Sequence, residues 1–222
     1  MVASGPTVRV FGHSGAAELV LPSTATGCAV HASGEYGLAC ESAGFLTLFR
    51  LGSGQVARSL RADKGPMTCL DAHPDGLLVA TGGESHGAVQ VWSLLDGKAV
   101  TALREHAGFV SALAFSGNGT KLASVSSRDA TVRVWDLRQT ASALHTLKGR
   151  GVPTGASFDP SGSLVGVCYE DGSLVVSSVS KGDDAWPVVL QDKAPRPLAG
   201  LAFGSGGVVA VNDQASLVTW AP

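Results

Sequence analysis

Three observations predict an all-β fold made of one four-stranded antiparallel unit repeated along the chain. First, apolar residues alternate with small or polar ones over short runs, as in Val110, Ala112 and Ala114, or in Thr131-Val132-Arg133-Val134-Trp135. A period of two turns one face of a strand inward, and breaks rich in Gly, Asn, Asp and Pro between such runs read as hairpin turns. Second, a turn glycine recurs as Gly34, Gly76, Gly119, Gly162 and Gly206, at intervals of 42, 43, 43 and 44. Third, an aromatic residue closes the third run of each unit at Phe49, Trp92, Trp135 and Trp220, with Ser178 standing where one is missing. Two independent markers thus keep one period.

The elements follow in order. Residues 7–11 and 17–21 read as the third and fourth strands of a half unit. The first whole unit spans about residues 27–60, with strands near 27–32, 37–41, 45–50 and 55–60. The next three span about 66–103, 108–147 and 152–190, each with four strands. The last, about 198–220, has three. A period of about 43 residues carrying four strands is that of a propeller blade. The expected architecture is therefore an all-β propeller, incomplete, with a half blade, four full blades and one three-stranded blade, forming one partial domain over residues 1–222. An open arc is expected, with the inner edge at residues 7–11 unpaired. Closure of residues 17–21 onto 216–220 is the alternative.

Composition narrows the function. In 222 residues, 45% are hydrophobic and 15% charged, so the chain can bury a core and is not of the disordered class. A net charge of −2 provides no general attraction to nucleic acid or anionic membrane. No apolar run reaches membrane-span length, and the opening MVASGPTVRVFG lacks the pattern of a secretory signal. Cys28, Cys40, Cys69 and Cys168 show no CxxC spacing and fall in predicted strands, which reads as buried thiols in a reducing compartment. Asn118-Gly119-Thr120 fits a glycosylation acceptor but lies in a repeat turn, and is discounted. The six histidines are scattered without metal-ligand spacing. His31 and His73 hold similar places at the ends of first strands and read as repeat features. Gly12-His13-Ser14-Gly15 lacks the spacing of a nucleophile elbow. No catalytic residue, metal, cofactor or small-molecule substrate is expected for this chain alone.

The most complete repeat is residues 105–137, EHAGFVSALAFSGNGTKLASVSSRDATVRVWDL. A His before the first strand and a Trp-Asp at the end of the third resemble the WD-repeat family. That resemblance implies a buried polar relay of His106, Ser127, Asp129 and Trp135, tying the loop before the first strand to the second-to-third turn and the third strand. Glu105 stands where the family dipeptide has Gly. The turn is one residue longer than usual, so Ser126 could replace Ser127. The other blades lack the full set: the one before carries Glu84-Ser85-His86-Gly87 where the Asp would lie, and the one after has Asp171-Gly172 but no Trp.

In a propeller, the fourth-to-first and second-to-third connections emerge on one face. Here they carry Lys64, Arg104, Arg128, Lys148, Arg150, Lys193 and Arg196 against Asp63, Glu84, Glu105, Asp129, Glu170, Asp171 and Asp192, seven of each sign. A balanced rim suits protein or peptide partners rather than a phosphate backbone. The candidate partner-binding residues are Lys64, Arg104, Arg128, Lys148, Arg150 and Arg196, with no direct nucleic-acid or membrane contact.

A narrower resemblance lies in HASGEYGLAC (31–40), HPDGLLVATG (73–82), VSALAFSGNGTKLAS (110–124) and VRVWDLRQTASALHTL (132–147). These stretches are similar to the C-terminal WD-repeat domain of the pre-mRNA-processing factor 19 family, with the first three in consecutive blades in the family's order. The end of the fifth blade, DQASLVTW, departs most. The resemblance implies a nuclear scaffold of the spliceosome and a ubiquitin ligase, whose ligase chemistry belongs to an N-terminal U-box and whose assembly belongs to a coiled coil. Neither is expected in these residues, which leaves the partner- or substrate-docking part. The alternative is an unrelated intracellular WD-repeat scaffold in the cytoplasm.

Overall fold

The computed structural model describes residues 2–12, 15–84, 87–139, 142–148, 151–179, 188–204 and 207–220, and for 2–4, 11–12 and 15–17 the backbone alone. Every regular element among the described residues is a strand, and all strand pairings are antiparallel. The chain divides into two compact units, residues Met1–Ala102 and Leu103–Pro222.

In the first unit, β1 (Val2–Ser4), β2 (Thr7–Gly12) and β3 (Gly15–Val20) form a three-stranded meander. The half blade read from the sequence is therefore corrected to three strands. Three residues without an apolar alternation leave no periodic signal, yet β1 pairs Val2 with Arg9 and Ser4 with Thr7. Next come β4 (Ala25–Val30), β5 (Tyr36–Glu41), β6 (Phe45–Arg50) and β7 (Val56–Arg61) in one sheet, then β8 (Met67–Ala72), β9 (Leu78–Gly83), β10 (Ala88–Ser93) and β11 (Ala99–Arg104) in another. The boundary between the units falls within β11. Apolar faces meet between neighbouring sheets: Val8 and Leu19 pack with Ala39 and Phe49, while Leu38, Cys40 and Leu46 pack with Met67, Leu70 and Val79.

In the second unit, β12 (Ala112–Phe115), β13 (Lys121–Ser126), β14 (Thr131–Asp136) and β15 (His145–Lys148) form one four-stranded sheet. A second comprises β16 (Pro153–Phe158), β17 (Leu164–Tyr169), β18 (Ser173–Ser178) and β19 (Val188–Lys193). A third, three-stranded, holds β20 (Leu198–Gly204), β21 (Gly207–Asn212) and β22 (Leu217–Trp220). Val125, Val132 and Leu147 pack with Val167, Tyr169 and Val175, and Cys168, Leu174 and Val176 pack with Leu198, Val208 and Ala210. The interior strands are buried on both faces, so their apolar runs are nearly continuous, as in Leu164–Tyr169.

Two devices recur at the period of the repeat. The inner strands β4, β8, β16 and β20 each carry a register shift near their start. At the extra residue a hydroxyl donates to the carbonyl of the residue fourteen places on: Thr26 to Cys40, Thr68 to Gly82 and Thr154 to Cys168, each at 3.2 Å, with Ser111 to Val125 doing the same before β12. The bulge fills its own polar gap. At the other end of the strands, the turn carbonyls accept from the preceding sheet. His31 Nε2 donates to Gly76 O at 2.7 Å, and Lys121 Nζ donates to Gly162 O at 2.8 Å. His73, at the matching place, accepts at Nδ1 from the Asp75 backbone N–H at 3.2 Å.

All four cysteines are free, with Cys40, Cys69 and Cys168 buried and Cys28 half-buried. Burial pushes the Cys40 thiol up to about 11 and the Cys69 thiol up to about 12, and it raises Cys168 as well. These thiols stay protonated and pack as small apolar groups.

Candidate functional site

The polar centre of the second unit is built on the β13–β14 hairpin. Side chains of Leu122, Ser124 and Ser126 on β13 share a face with Thr131, Arg133 and Trp135 on β14, because Ser124 pairs with Arg133 and Leu122 with Trp135. Trp135 Nε1 donates to Ser124 Oγ at 2.8 Å, and Ser124 Oγ lies 2.8 Å from His106 Nε2. His106 Nδ1 lies 3.0 Å from Asp129 Oδ2, and Thr131 Oγ donates to Asp129 Oδ1 at 2.6 Å. The backbone N–H of Ala107 also donates to Asp129, at 2.9 Å. Proton direction follows from what each group can do. Trp135 can only donate, so the Ser124 hydroxyl accepts from it and donates its own hydrogen to His106 Nε2. His106 then carries its proton on Nδ1 and donates to the carboxylate of Asp129.

This is a correction to the serine expected from the sequence. His106, Asp129 and Trp135 meet, but neither Ser127 nor Ser126 joins them in that chain. Ser127 Oγ lies 2.8 Å from Ser111 Oγ and donates to Pro153 O at 3.0 Å, linking this sheet to the start of β16. Ser126 Oγ accepts from the backbone of Asp129 at 3.3 Å. The bridging hydroxyl has to sit on the strand, where it can lie diagonally across from the indole, rather than in the turn. The same geometry recurs one repeat earlier, where Trp92 Nε1 donates to Thr81 Oγ at 3.0 Å. A Ser or Thr eleven residues before the third-strand Trp was the available signal.

Electrostatics keeps the centre neutral at His106. Burial, together with the nearby Arg133 charge, lowers its basicity by more than Asp129 raises it, so the ring stays below its ordinary value. Asp129 is pushed up by burial, yet hydrogen bonds from Thr131, His106 and Ala107 outweigh that and hold its carboxyl below the usual range. A second layer surrounds this one. Arg133 forms an ion pair with Glu105 and donates to Thr146 on β15, and Glu105 accepts from the Ala143 backbone at 2.9 Å. Glu105, the departure from the family dipeptide, therefore fastens the entry loop to the outer strand. The buried Nε of Arg133 has no partner among the described residues.

In the first unit, one residue missed in the sequence makes comparable ties. Glu41 is fully buried and accepts from Thr47 Oγ at 2.9 Å and from the hydroxyl and backbone of Ser23 at 2.9 and 3.2 Å. It joins the loop before β4 to the end of β5 and to β6 without any His or Trp. In the sheet after the central one, Asp171 pairs with Lys193 and caps Ser173. Ser85, His86 and Arg150 lie outside the described residues.

Of the candidate rim, Lys64, Arg128 and Arg196 lie on connections between strands, and Arg104 and Lys148 are the last residues of β11 and β15. In the first unit, Lys64 is exposed between β7 and β8, where Arg61 donates to its backbone carbonyl. In the second, Arg104, Arg128, Lys148 and Arg196 are exposed. Second-to-third turns and fourth-to-first connections lie at the same end of antiparallel strands, and the backbone shows how closely they seat. A Cβ on Gly172 would lie 2.6 Å from Arg196 O, and one on Gly108 would lie 2.7 Å from Arg128 Cβ. Arg128 directly precedes Asp129, and Lys148 stands opposite Thr131 in the ladder, so the buried centre fixes the backbone from which both project. None of these five cations is in an ion pair among the described residues. Four of the seven acids of the same connections are otherwise engaged: Asp129 in the centre, Glu105 with Arg133, Asp171 with Lys193, and Asp192 with the Trp220 indole. Ion pairing thus engages Glu105, Asp171 and Lys193, whereas the hydrogen bonds to Asp129 and Asp192 leave both carboxylates charged.

Against known families, the WD domain, G-beta repeat model matches residues 54–93 and 97–136. Each match starts near the fourth strand of one sheet and runs through the third strand of the next, a stagger of one strand against the sheets themselves. Both segments are WD repeats, and with the run of antiparallel sheets they define an incomplete WD-repeat β-propeller. Such repeats generally make non-catalytic scaffolds that bind protein partners. No curated protein matches the chain.

Proposed function

We propose that the chain is a docking scaffold whose basic rim binds protein partners through acidic segments. The observation that carries this reading is that Arg128, Lys148 and Arg196 are exposed and in no ion pair among the described residues, while Glu105 and Asp171 are taken up in ion pairs and Asp129 in the buried centre. Loops held by a stiff sheet are where recognition usually sits, and like-signed charges on them speed encounter with an oppositely charged surface. The finer reading rests on the sequence resemblance to the pre-mRNA-processing factor 19 family. In it the partners are spliceosomal, the site of action is the nucleus, and the chain supplies the docking part of a ubiquitin ligase while the U-box chemistry lies elsewhere.

The test is a pull-down from nuclear extract with the chain and with the triple variant Arg128→Glu, Lys148→Glu, Arg196→Glu. Loss of recovered partners at an unchanged melting temperature is expected, because all three side chains project into solvent. Unchanged recovery would remove this rim as the docking surface. Recovery of partners with no spliceosomal component would leave the scaffold and sink the narrower reading. With ubiquitin-activating and -conjugating enzymes added, the chain is expected to form no ubiquitin conjugates by itself.

A further inference from the structure

The fifth sheet, β20–β22, buries one face and exposes the other. Leu201, Phe203, Val208, Ala210, Val218 and Trp220 turn toward the preceding sheet. Their strand neighbours point the opposite way: Gly200, Ala202, Val209, Val211, Leu217 and Thr219. Val211 is 37% and Leu217 68% exposed, and Ala202 and Thr219 are exposed as well. Burial on β22 alternates residue by residue, whereas in the preceding sheet β17 is buried almost throughout because both of its faces are covered.

Gly200 indicates what kind of surface this face receives. Glycine follows the bulge on three inner strands, at Gly27, Gly155 and Gly200. At Gly27 the missing Cβ lets the next inner strand approach, so that an added Cβ would lie 3.5 Å from Cys69 Cα. At Gly155 it would lie 3.5 Å from Gly200 Cα. At Gly200 it would meet nothing within 4 Å. The position has the clearance for a closely approaching backbone, and that clearance is empty. An uncharged, glycine-centred apolar face is a sheet-packing surface.

We propose that this face is the interface of a homodimer, in which β20–β22 of one copy packs against β20–β22 of a second copy about a two-fold axis, with the inner strands meeting at Gly200. Charge decides for the second copy. The face carries no charged residue, so two such faces meet without burying an ion. The outward face of the β1–β3 sheet, in contrast, carries the Arg9–Glu18 pair, which would have to be desolvated against it. A self-complementary patch satisfies the requirement of an isologous contact.

Sedimentation equilibrium of the whole chain over a wide concentration range tests this. A dimer mass is expected, with Gly200→Val and Leu217→Glu each weakening association by roughly tenfold or more. Both substitutions point into open space in the single copy, so the melting temperature of the dilute protein should not fall. Gly200→Val separates packing from polarity, since it adds apolar surface and yet blocks the close approach. Leu95→Glu, at an apolar side chain 72% exposed in the first unit, should leave the dimer intact. A monomer at every concentration would overturn the proposal, whether its β20–β22 amides exchange freely or are covered by another part of the same chain. So would a dimer that both variants leave unchanged.

Discussion

Ser124 is the side chain through which the indole and the imidazole of the central blade are joined. Replacing it with Ala strands Trp135 Nε1 and His106 Nε2 in a buried site, at about 1–3 kcal/mol for each unsatisfied group. Ser124→Ala should therefore lower the urea midpoint more than Ser127→Ala, whose partners are half-buried; equal midpoints would refute the assignment of the bridging hydroxyl. His106 adds a pH dependence. Its folded value lies below the ordinary 6.5, so the unfolded chain takes up a proton that the folded ring refuses. Stability is full above that ordinary value and declines as the pH falls below it. Asp129, held below 3.8, keeps its contribution until the pH falls through its own lowered value. Urea midpoints between about pH 8 and about pH 5 should slope downward for the wild type and flatten for His106→Asn. At this scale the sequence displayed the His, Asp and Trp because their chemistry is scarce. Ser124 and Thr131 stayed hidden because hydroxyl residues are common, and only their position on paired strands gives them partners.

Turns show how an element tolerates departure from its pattern. Gly44, Gly87 and Gly172 follow the second-to-third turn with φ of +84°, +60° and +87°, and Ala130 and Ala215 hold the same place at +54° and +58°. An L-residue there is strained, and glycine is not. Ala130→Gly should stabilise the chain by about 0.5–1 kcal/mol, the relief of strain exceeding the added freedom of the unfolded chain. A thermal melt that falls instead would show that the Ala130 methyl makes a contact worth more than the strain. Most elements were legible for the same reason that this turn is: alternation and turn residues are local signals. The three residues of β1 carried none, and their pairing with β2 is decided by the ladder alone.

Across the molecule, burial is graded from the middle strands of each sheet to the outer ones. Every residue of β14 is buried, whereas β7 and β19 are exposed at most positions. Hydrogen exchange should be slowest in peptides covering β13 and β14 and fastest in β7, β19 and β22. Comparable protection across all of them would contradict that gradient. The repeat period carried the fold class because two markers kept time through most of the chain. The rim was harder to read. Charges can be counted loop by loop in a sequence, but that Glu105 is taken by Arg133 and Asp192 by Trp220 depends on residues 28 positions away.

The hydroxyl that fills each inner-strand bulge gives this chain a built-in standard of comparison. Four repeats have it, at Thr26, Thr68, Ser111 and Thr154, and the fifth has Ala199 in its place. The missing part can be copied from its siblings. Ala199→Thr should direct a new bond to the carbonyl of Val211, which pairs with Gly200 as Cys40 pairs with Gly27, and raise stability by about 1 kcal/mol. A protein assembled from near-duplicates thus carries the blueprint for its own repair: wherever one repeat has lost a fastening, the others specify the residue that restores it.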